Sequence, residues 1–185
     1  MSRTSSFRAL PVVAIGSALC LGIPPITRVL ASPDGAEWDA ASDPEGCLSC
    51  HLGAPELGES ESLVIEGLPE QTSAGQRYDL TVILEDPALR NAGFLLTIRA
   101  AGQPAGSLAA VDDRVETNGA SARSTWEGSF PEQPGRASWQ LVWTAPAARG
   151  GTAIDLDLWG NAGNDDLSPL GDRPHHRTWH LPAPR

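Results

Sequence analysis

The 185-residue sequence predicts an all-β fold: a sandwich of about seven or eight short strands, preceded by an irregular arm. From Leu63 onward, apolar and polar residues alternate over short runs, which is the period of a half-buried strand. Turn residues separate these runs, and none of them has the period of an amphipathic helix. Many short strands at this spacing are typical of a β-sandwich.

The clearest alternation lies in residues 78–84, 94–98, 139–143 and 154–158. Weaker strands are expected at residues 63–68, 107–111, 120–128 and 177–181. Trp139 and Trp143 alternate with polar neighbours, so both are predicted to be buried in the core. Turns are expected at Gln103-Pro104, Asn118-Gly119 and Gly150-Gly151.

Residues 1–31 are predicted to be a secretory signal peptide. Arg3 and Arg8 precede an apolar run, and the small residues before Ser32 suit signal peptidase. An uncleaved N-terminal anchor is the alternative, because Pro24, Pro25 and Arg28 lengthen the cleavage region. No second apolar stretch is long enough to span a bilayer. We therefore expect a periplasmic or secreted protein without a stable membrane anchor after cleavage.

The rest of the chain divides in two, and its charge is acidic. Residues 32–62, rich in Gly, Pro, Ser and acids, form the irregular arm, and residues 63–185 form the sandwich domain. The net charge of −10 falls to about −13 after cleavage, because the signal peptide carries three arginines and no acid. Such a surface repels nucleic acid and favours basic partners.

The arm carries the strongest chemical motif in the chain, Cys47-Leu48-Ser49-Cys50-His51. Two thiols three positions apart, followed directly by histidine, are the signature of c-type haem attachment. Cys47 and Cys50 would form thioether bonds to one haem, and His51 would be the proximal iron ligand. No other cysteine remains after signal cleavage.

Three alternatives compete for this pentapeptide. A zinc site needs about four ligands, and the other candidates are the histidines near the C-terminus. A thioredoxin-like redox pair would need a βαβ context, which the sequence lacks. A chance occurrence on an irregular arm is the third. Separately, Asp155, Asp157, Gly160 and Asp166 match part of a calcium-loop template, but the segment is predicted to be a strand and a turn.

The second axial ligand has three candidates: His175, His176 and His180. Met1, the only methionine, leaves with the signal, and the chain has no lysine. On a strand His176 and His180 share one face and His175 points to the other. The last strand of a sandwich commonly lies beside the first, which would bring this strand near the motif. Bis-histidine ligation would give a lower potential than histidine–methionine; with no second ligand, the iron could bind small gases.

Several segments resemble a bacterial family: AGQRYDLTVILED, NAGFLLTIRAAGQPAGSL and SWQLVWTAPAARGGTAIDLDLWGNAGNDDLSPLGD. With the motif, they resemble the Reeler-like "choice-of-anchor V" domain over about residues 46–172. The resemblance implies an immunoglobulin-like β-sandwich on exported proteins, often with a haem motif at its head. Such proteins often carry a histidine in the region corresponding to residues 120–126, and this chain has none.

We therefore expect an exported monohaem cytochrome that exchanges electrons with redox partner proteins. No nucleophile motif, phosphate loop or paired-carboxylate arrangement predicts an enzyme. The alternative is an extracellular binding or adhesion module with haem as a structural or sensory accessory. An accessory subunit of a larger redox enzyme is a third reading.

Overall fold

The computed structural model describes residues 38, 46–51, 57–147 and 151–183. The predicted signal peptide and much of the predicted arm lie outside the described residues. Within these ranges, no helix is both long and apolar enough to cross a membrane.

The described residues contain eleven strands and two short 3₁₀ turns, at Gly46–Ser49 and Glu127–Ser129. The strands are β1 Leu57–Glu59, β2 Leu63–Glu66, β3 Arg77–Glu85, β4 Asn91–Ala100, β5 Gln103–Pro104, β6 Ser107–Ala110, β7 Val115–Asn118, β8 Ser121–Ser124, β9 Arg136–Thr144, β10 Ile154–Gly163 and β11 Arg173–Leu181.

These strands form the two sheets of a sandwich, which confirms the predicted fold class. The larger sheet has the order β1-β11-β10-β4-β8-β7, with β5 paired to β4. The smaller sheet has the order β2-β3-β9-β6. The last strand, β11, lies beside the first, β1, and pairs with it in parallel. Strand β1, which comes after the motif in the chain, is therefore fixed next to His175 and His176.

The core lies between the sheets and is built by the alternation that the sequence shows. Trp139 and Trp143 are fully buried, as predicted. The Trp139 ring packs against Phe94 at 4.8 Å between centroids. Each indole N–H donates to a backbone carbonyl, from Trp139 to Gly128 at 2.8 Å and from Trp143 to Ala105 at 3.1 Å. Both polar atoms are thus satisfied inside the core.

All eight predicted strands are present, and β1, β5 and β7 are three short additions. The segment Gln103–Pro104, expected as a turn, instead pairs with Arg99 and Ala100. The reversal falls earlier, where Ala101 and Gly102 have positive φ. Edge strands this short bury little alternating surface, so their pairing leaves no clear pattern in the sequence.

Candidate functional site

The motif forms a single helical turn. The His51 N–H donates to the Cys47 carbonyl at 2.9 Å, and the Cys50 N–H donates to the same oxygen at 3.3 Å. The Ser49 hydroxyl closes the turn by donating to the Gly46 carbonyl at 2.9 Å. Both thiols are free. One turn of backbone therefore fixes two thiols and one imidazole relative to each other.

This turn lies on the outer face of the larger sheet. Along β10, the core side chains alternate with Asp155, Asp157, Trp159 and Asn161, which face outward. Gly46 lies against Trp159, and a Cβ at Gly46 would overlap the indole ring. Farther along the same sheet, the Arg123 guanidinium lies 4.5 Å from the centroid of the Trp38 ring. Two separate parts of the predicted arm thus contact this face.

His51 is held by Asp172, the residue directly before β11. Its Nδ1 lies 2.6 Å from Asp172 Oδ2, and the two side chains are 23% and 7% exposed. The Asn161 amide donates to the same oxygen at 3.2 Å, and the backbone N–H of Asn164 donates to Oδ1 at 3.1 Å. Burial alone would raise the pKa of Asp172, but the bonds from His51, Asn164 and Asn161 outweigh it and lower the pKa.

The contact with Asp172 assigns the proton on the His51 ring. An ionised carboxylate only accepts hydrogen bonds, so Nδ1 carries the proton and donates it. The lone pair of Nε2 is then left for a metal. Asn161 Nδ2 lies 3.3 Å from Nδ1, and its Oδ1 is buried without a hydrogen-bond partner among the described residues. A carboxylate behind the imidazole is one of the usual arrangements of a metal-ligating histidine.

The two thiols have different surroundings. Cys47 is half-buried and Cys50 is exposed. Burial, with a smaller contribution from the neighbouring Cys50, raises the pKa of Cys47 to about 12. Cys47 therefore stays a protonated thiol at neutral pH.

These donors fit a covalently attached haem better than a bare metal ion. They supply two free thiols, for two thioether bonds, and one imidazole nitrogen aimed away from its carboxylate. Within the described ranges, no three Cys, His, Asp or Glu side chains are grouped to hold a metal ion. The zinc alternative required the C-terminal histidines to join the two cysteines, and each of those histidines has another partner.

The three C-terminal histidines are divided between the two faces of β11, as the alternation predicts. His176 lies on the outer face, stacked on Trp159 with 4.2 Å between centroids, and its Nε2 lies 2.8 Å from Asp157. His180 lies farther along the same face, with Nδ1 at 2.7 Å from Asp155.

His175 faces the opposite side of the sheet and is 2% exposed. Its Nδ1 lies 2.8 Å from the Ser60 hydroxyl, and its Nε2 lies 3.1 Å from Asp86 Oδ2. Asp86 Oδ1 accepts the backbone N–H of Ala88, and Oδ2 also contacts Arg173 at 2.9 Å. In this serine–histidine–aspartate set, His175 and Asp86 are each 2% exposed and Ser60 is half-buried. The set ties β11 to neighbouring loops, and it leaves neither ring nitrogen of His175 for iron.

The calcium-template residues are not brought together. Asp155 and Asp157 bind histidines on β11, while Asp166 lies in the loop between β10 and β11. There its carboxylate accepts the backbone N–H of Ser168 at 2.8 Å and the Asn164 amide at 3.1 Å. These carboxylates thus shape a strand pair and a turn.

Sequence reasoning did not assign a role to Asp172, Asn161 or Gly46. Asp172 and Asn161 entered only as parts of segments that resemble a family, and neither has a spacing relative to His51 that predicts contact. Of these three residues, only Gly46 carried a signal in the local sequence, because it lies next to Cys47 and glycine often marks a positive φ. The structure gives it a φ of +49°.

The chain is similar to several solved structures. One Reeler domain of human F-spondin has 19% identity and a TM-score of 0.47, covering 71% of this chain and 95% of that one. The Reelin-N domain of F-spondin has 19% identity and a TM-score of 0.46, covering 71% and 93%. The sulfur carrier SoxY from Chlorobium limicola f thiosulfatophilum has 14% identity and a TM-score of 0.37, covering 70% and 81%. No protein-family model and no curated protein matches the chain.

Proposed function

We propose that this chain is an exported monohaem c-type cytochrome, with its haem motif at the head of a Reeler-like, choice-of-anchor type sandwich. The observation that carries the proposal is the hydrogen bond from His51 Nδ1 to Asp172, 2.6 Å long. It leaves Nε2 of the histidine as the coordinating nitrogen, directly after two free thiols on the same turn. That combination of tautomer, thiols and backbone turn is what proximal haem ligation requires.

The protein's residues divide this work between them. Cys47 and Cys50 would hold the macrocycle covalently, and His51 would supply a nitrogen ligand to its iron. Asp172 holds the imidazole through Nδ1, and Asn161 and Asn164 hold the Asp172 carboxylate in place. When bound, haem supplies a one-electron couple at its iron.

Of the three second-ligand candidates, we favour His176, on its position along the outer face of β11. His51 contacts Asn161, which pairs with Pro174 on β11. His176 is two positions from Pro174, about 7 Å along the strand, whereas His180 is six positions away, about 20 Å. To bind iron, the His176 ring would exchange its bond with Asp157 for the metal.

We further propose a periplasmic or secreted electron carrier with basic redox partners. The net charge of −10 supports this, because opposite charge steers partners to encounter. The predicted signal peptide supports export.

The test is production of the full chain in a host with the cytochrome c maturation machinery. We expect a red protein whose intact mass exceeds that of the polypeptide by one haem, retained through acid–acetone extraction. A variant with both cysteines replaced, Cys47→Ala with Cys50→Ala, keeps His51 and is the matched control, which should lose covalent haem. If the wild-type mass equals that of the amino acids alone, the proposal fails.

A second candidate is an extracellular binding module in which haem is a structural or sensory accessory. It is favoured by an open groove of about 370 Å³, at the end of the sheet near His180, lined also by Arg99, Asp157 and Trp179. Fast reduction and reoxidation by small redox proteins supports the electron carrier. Slow electron exchange with ready carbon monoxide binding supports the second candidate.

A further inference from the structure

We propose that Asp172 is a positioning residue that lowers the reduction potential of the haem iron by acting through His51. The inference rests on the proposed function. It assigns a role to Asp172, which would not contact the iron itself. Its starting point is that a carboxylate, rather than a backbone carbonyl, accepts the Nδ1–H of this histidine.

The bond is short and shielded from solvent. At 2.6 Å, the His51–Asp172 contact is slightly shorter than the range of about 2.7–2.9 Å that is usual for charge-assisted N–H···O hydrogen bonds. The Asp172 side chain is only 7% exposed, so bulk water screens its negative charge weakly. The electrostatic effect of the carboxylate therefore falls mainly on the imidazole in front of it.

The carboxylate is also rigidly held. Asp172 Oδ2 accepts from Asn161 at 3.2 Å, and Oδ1 accepts the backbone N–H of Asn164 at 3.1 Å. Asn161 belongs to β10 and Asn164 to the loop that leads back to β11, so two elements fix its direction. Because both oxygens are engaged, the group cannot rotate away from His51 without breaking bonds.

A hydrogen bond of this kind makes the imidazole a stronger donor to iron. As the Nδ1 proton is drawn towards the carboxylate, the electron density on Nε2 rises. The oxidised iron carries one more positive charge than the reduced iron, so a richer ligand stabilises it more. The potential is therefore lower than with a neutral acceptor in the same place.

The experiment compares the reduction potentials of haem-loaded wild-type, Asp172→Asn, Asp172→Glu and Asp166→Asn proteins. Asparagine can still accept the Nδ1–H but carries no charge. We therefore expect the ratio of reduced to oxidised haem in Asp172→Asn to rise about tenfold, which is a rise of about 59 mV in the reduction potential for one electron. Asp172→Glu keeps a carboxylate and should shift the potential less. Asp166→Asn removes a charge from the adjacent loop without touching His51, and should leave it unchanged.

A second measurement does not depend on haem. In the haem-free protein, nitrogen NMR of the His51 ring should show the proton on Nδ1, and Asp172→Asn should weaken that preference.

The outcomes separate the two proposals. Wild-type chain that never takes up haem overturns the proposed function, while the NMR result still tests the histidine–aspartate contact. Loaded Asp172→Asn protein with the wild-type potential overturns this inference and leaves the cytochrome proposal intact. If Asp172→Asn does not fold, a haem-free wild-type protein whose His51 Nδ1 carries no proton overturns the inference as well.

Discussion

Gly46 lies flat against the indole of Trp159, in a place where no side chain fits. A Cβ at this position would overlap three atoms of the ring, and the backbone has a φ of +49°. The glycine immediately precedes Cys47, so this contact sets how the turn carrying the motif meets the sheet. Replacing Gly46 therefore tests how the turn packs on the sheet without changing either cysteine.

We expect Gly46→Ala to displace the turn from the sheet, at a cost of about 1–3 kcal/mol in docking free energy from overlap and backbone strain. Gly119→Ala is the matched control, because Gly119 has a φ of +60° but, among the residues that the structure describes, no heavy atom lies within 4 Å of the added Cβ. Hydrogen exchange at the His51 amide, which bonds to Cys47, should speed up only in Gly46→Ala. Equal protection in both variants would contradict the docking role.

The two cysteines should differ in reactivity before haem attachment. We expect a thiol-alkylating reagent to modify the exposed Cys50 faster than Cys47, whose pKa burial raises to about 12. Peptide mapping by mass spectrometry at neutral pH measures both rates in one sample. In concentrated urea the rates should converge, since unfolding exposes both thiols. Equal rates in the folded protein would contradict the burial of Cys47.

The buried His175 should make stability depend on pH. Burial, and to a smaller degree the nearby Arg173, lower its pKa from the ordinary value of 6.5, although Asp86 acts in the opposite direction. As pH falls below about 6.5, the unfolded chain takes up a proton that the folded protein resists, so the unfolding free energy decreases. The decrease ends once the pH is below the pKa of the folded protein.

Urea unfolding at a series of pH values between about 7 and 5 tests this sign. His175→Gln should flatten the pH dependence, whereas His180→Gln, at a side chain 68% exposed, should follow wild type. His175→Gln should also lower stability at pH 7 by about 1–3 kcal/mol, because it disturbs the bonds of Asp86 and Ser60. A wild-type slope in His175→Gln would refute the assignment.

His176 and His180 are candidates for the second iron ligand that differ in their position along β11. We expect His176→Ala to change the absorption bands of the haem-loaded protein and to increase carbon monoxide binding. His180→Ala, on the same face but about 20 Å along β11 from Pro174, the strand partner of Asn161, should change neither. Identical spectra for His176→Ala and wild type would mean that another group, or water, occupies the second position.

The strands were predictable because their pattern is local. In β10, Ile154, Leu156 and Leu158 alternate with outward-facing residues, and burial of one face requires that period of two. Short edge strands such as β7 carry too few residues for the period to emerge. The candidate haem residues were predictable for the same reason. Cys47, Cys50 and His51 would have to lie on one turn to reach one macrocycle, so they are close together in the sequence.

The sequence by itself determined the sandwich, the motif and the division of the C-terminal histidines between two faces. Only the tertiary structure decided which residues support the motif, because His51 and Asp172 are 121 positions apart and meet where β10 and β11 begin or end. A hydrogen bond between such distant residues depends on the register of two strands and the shape of one loop. Neither produces a recognisable pattern in the sequence. The burial of strands does so through the alternation of apolar residues, and the cysteine motif does so through its short spacing.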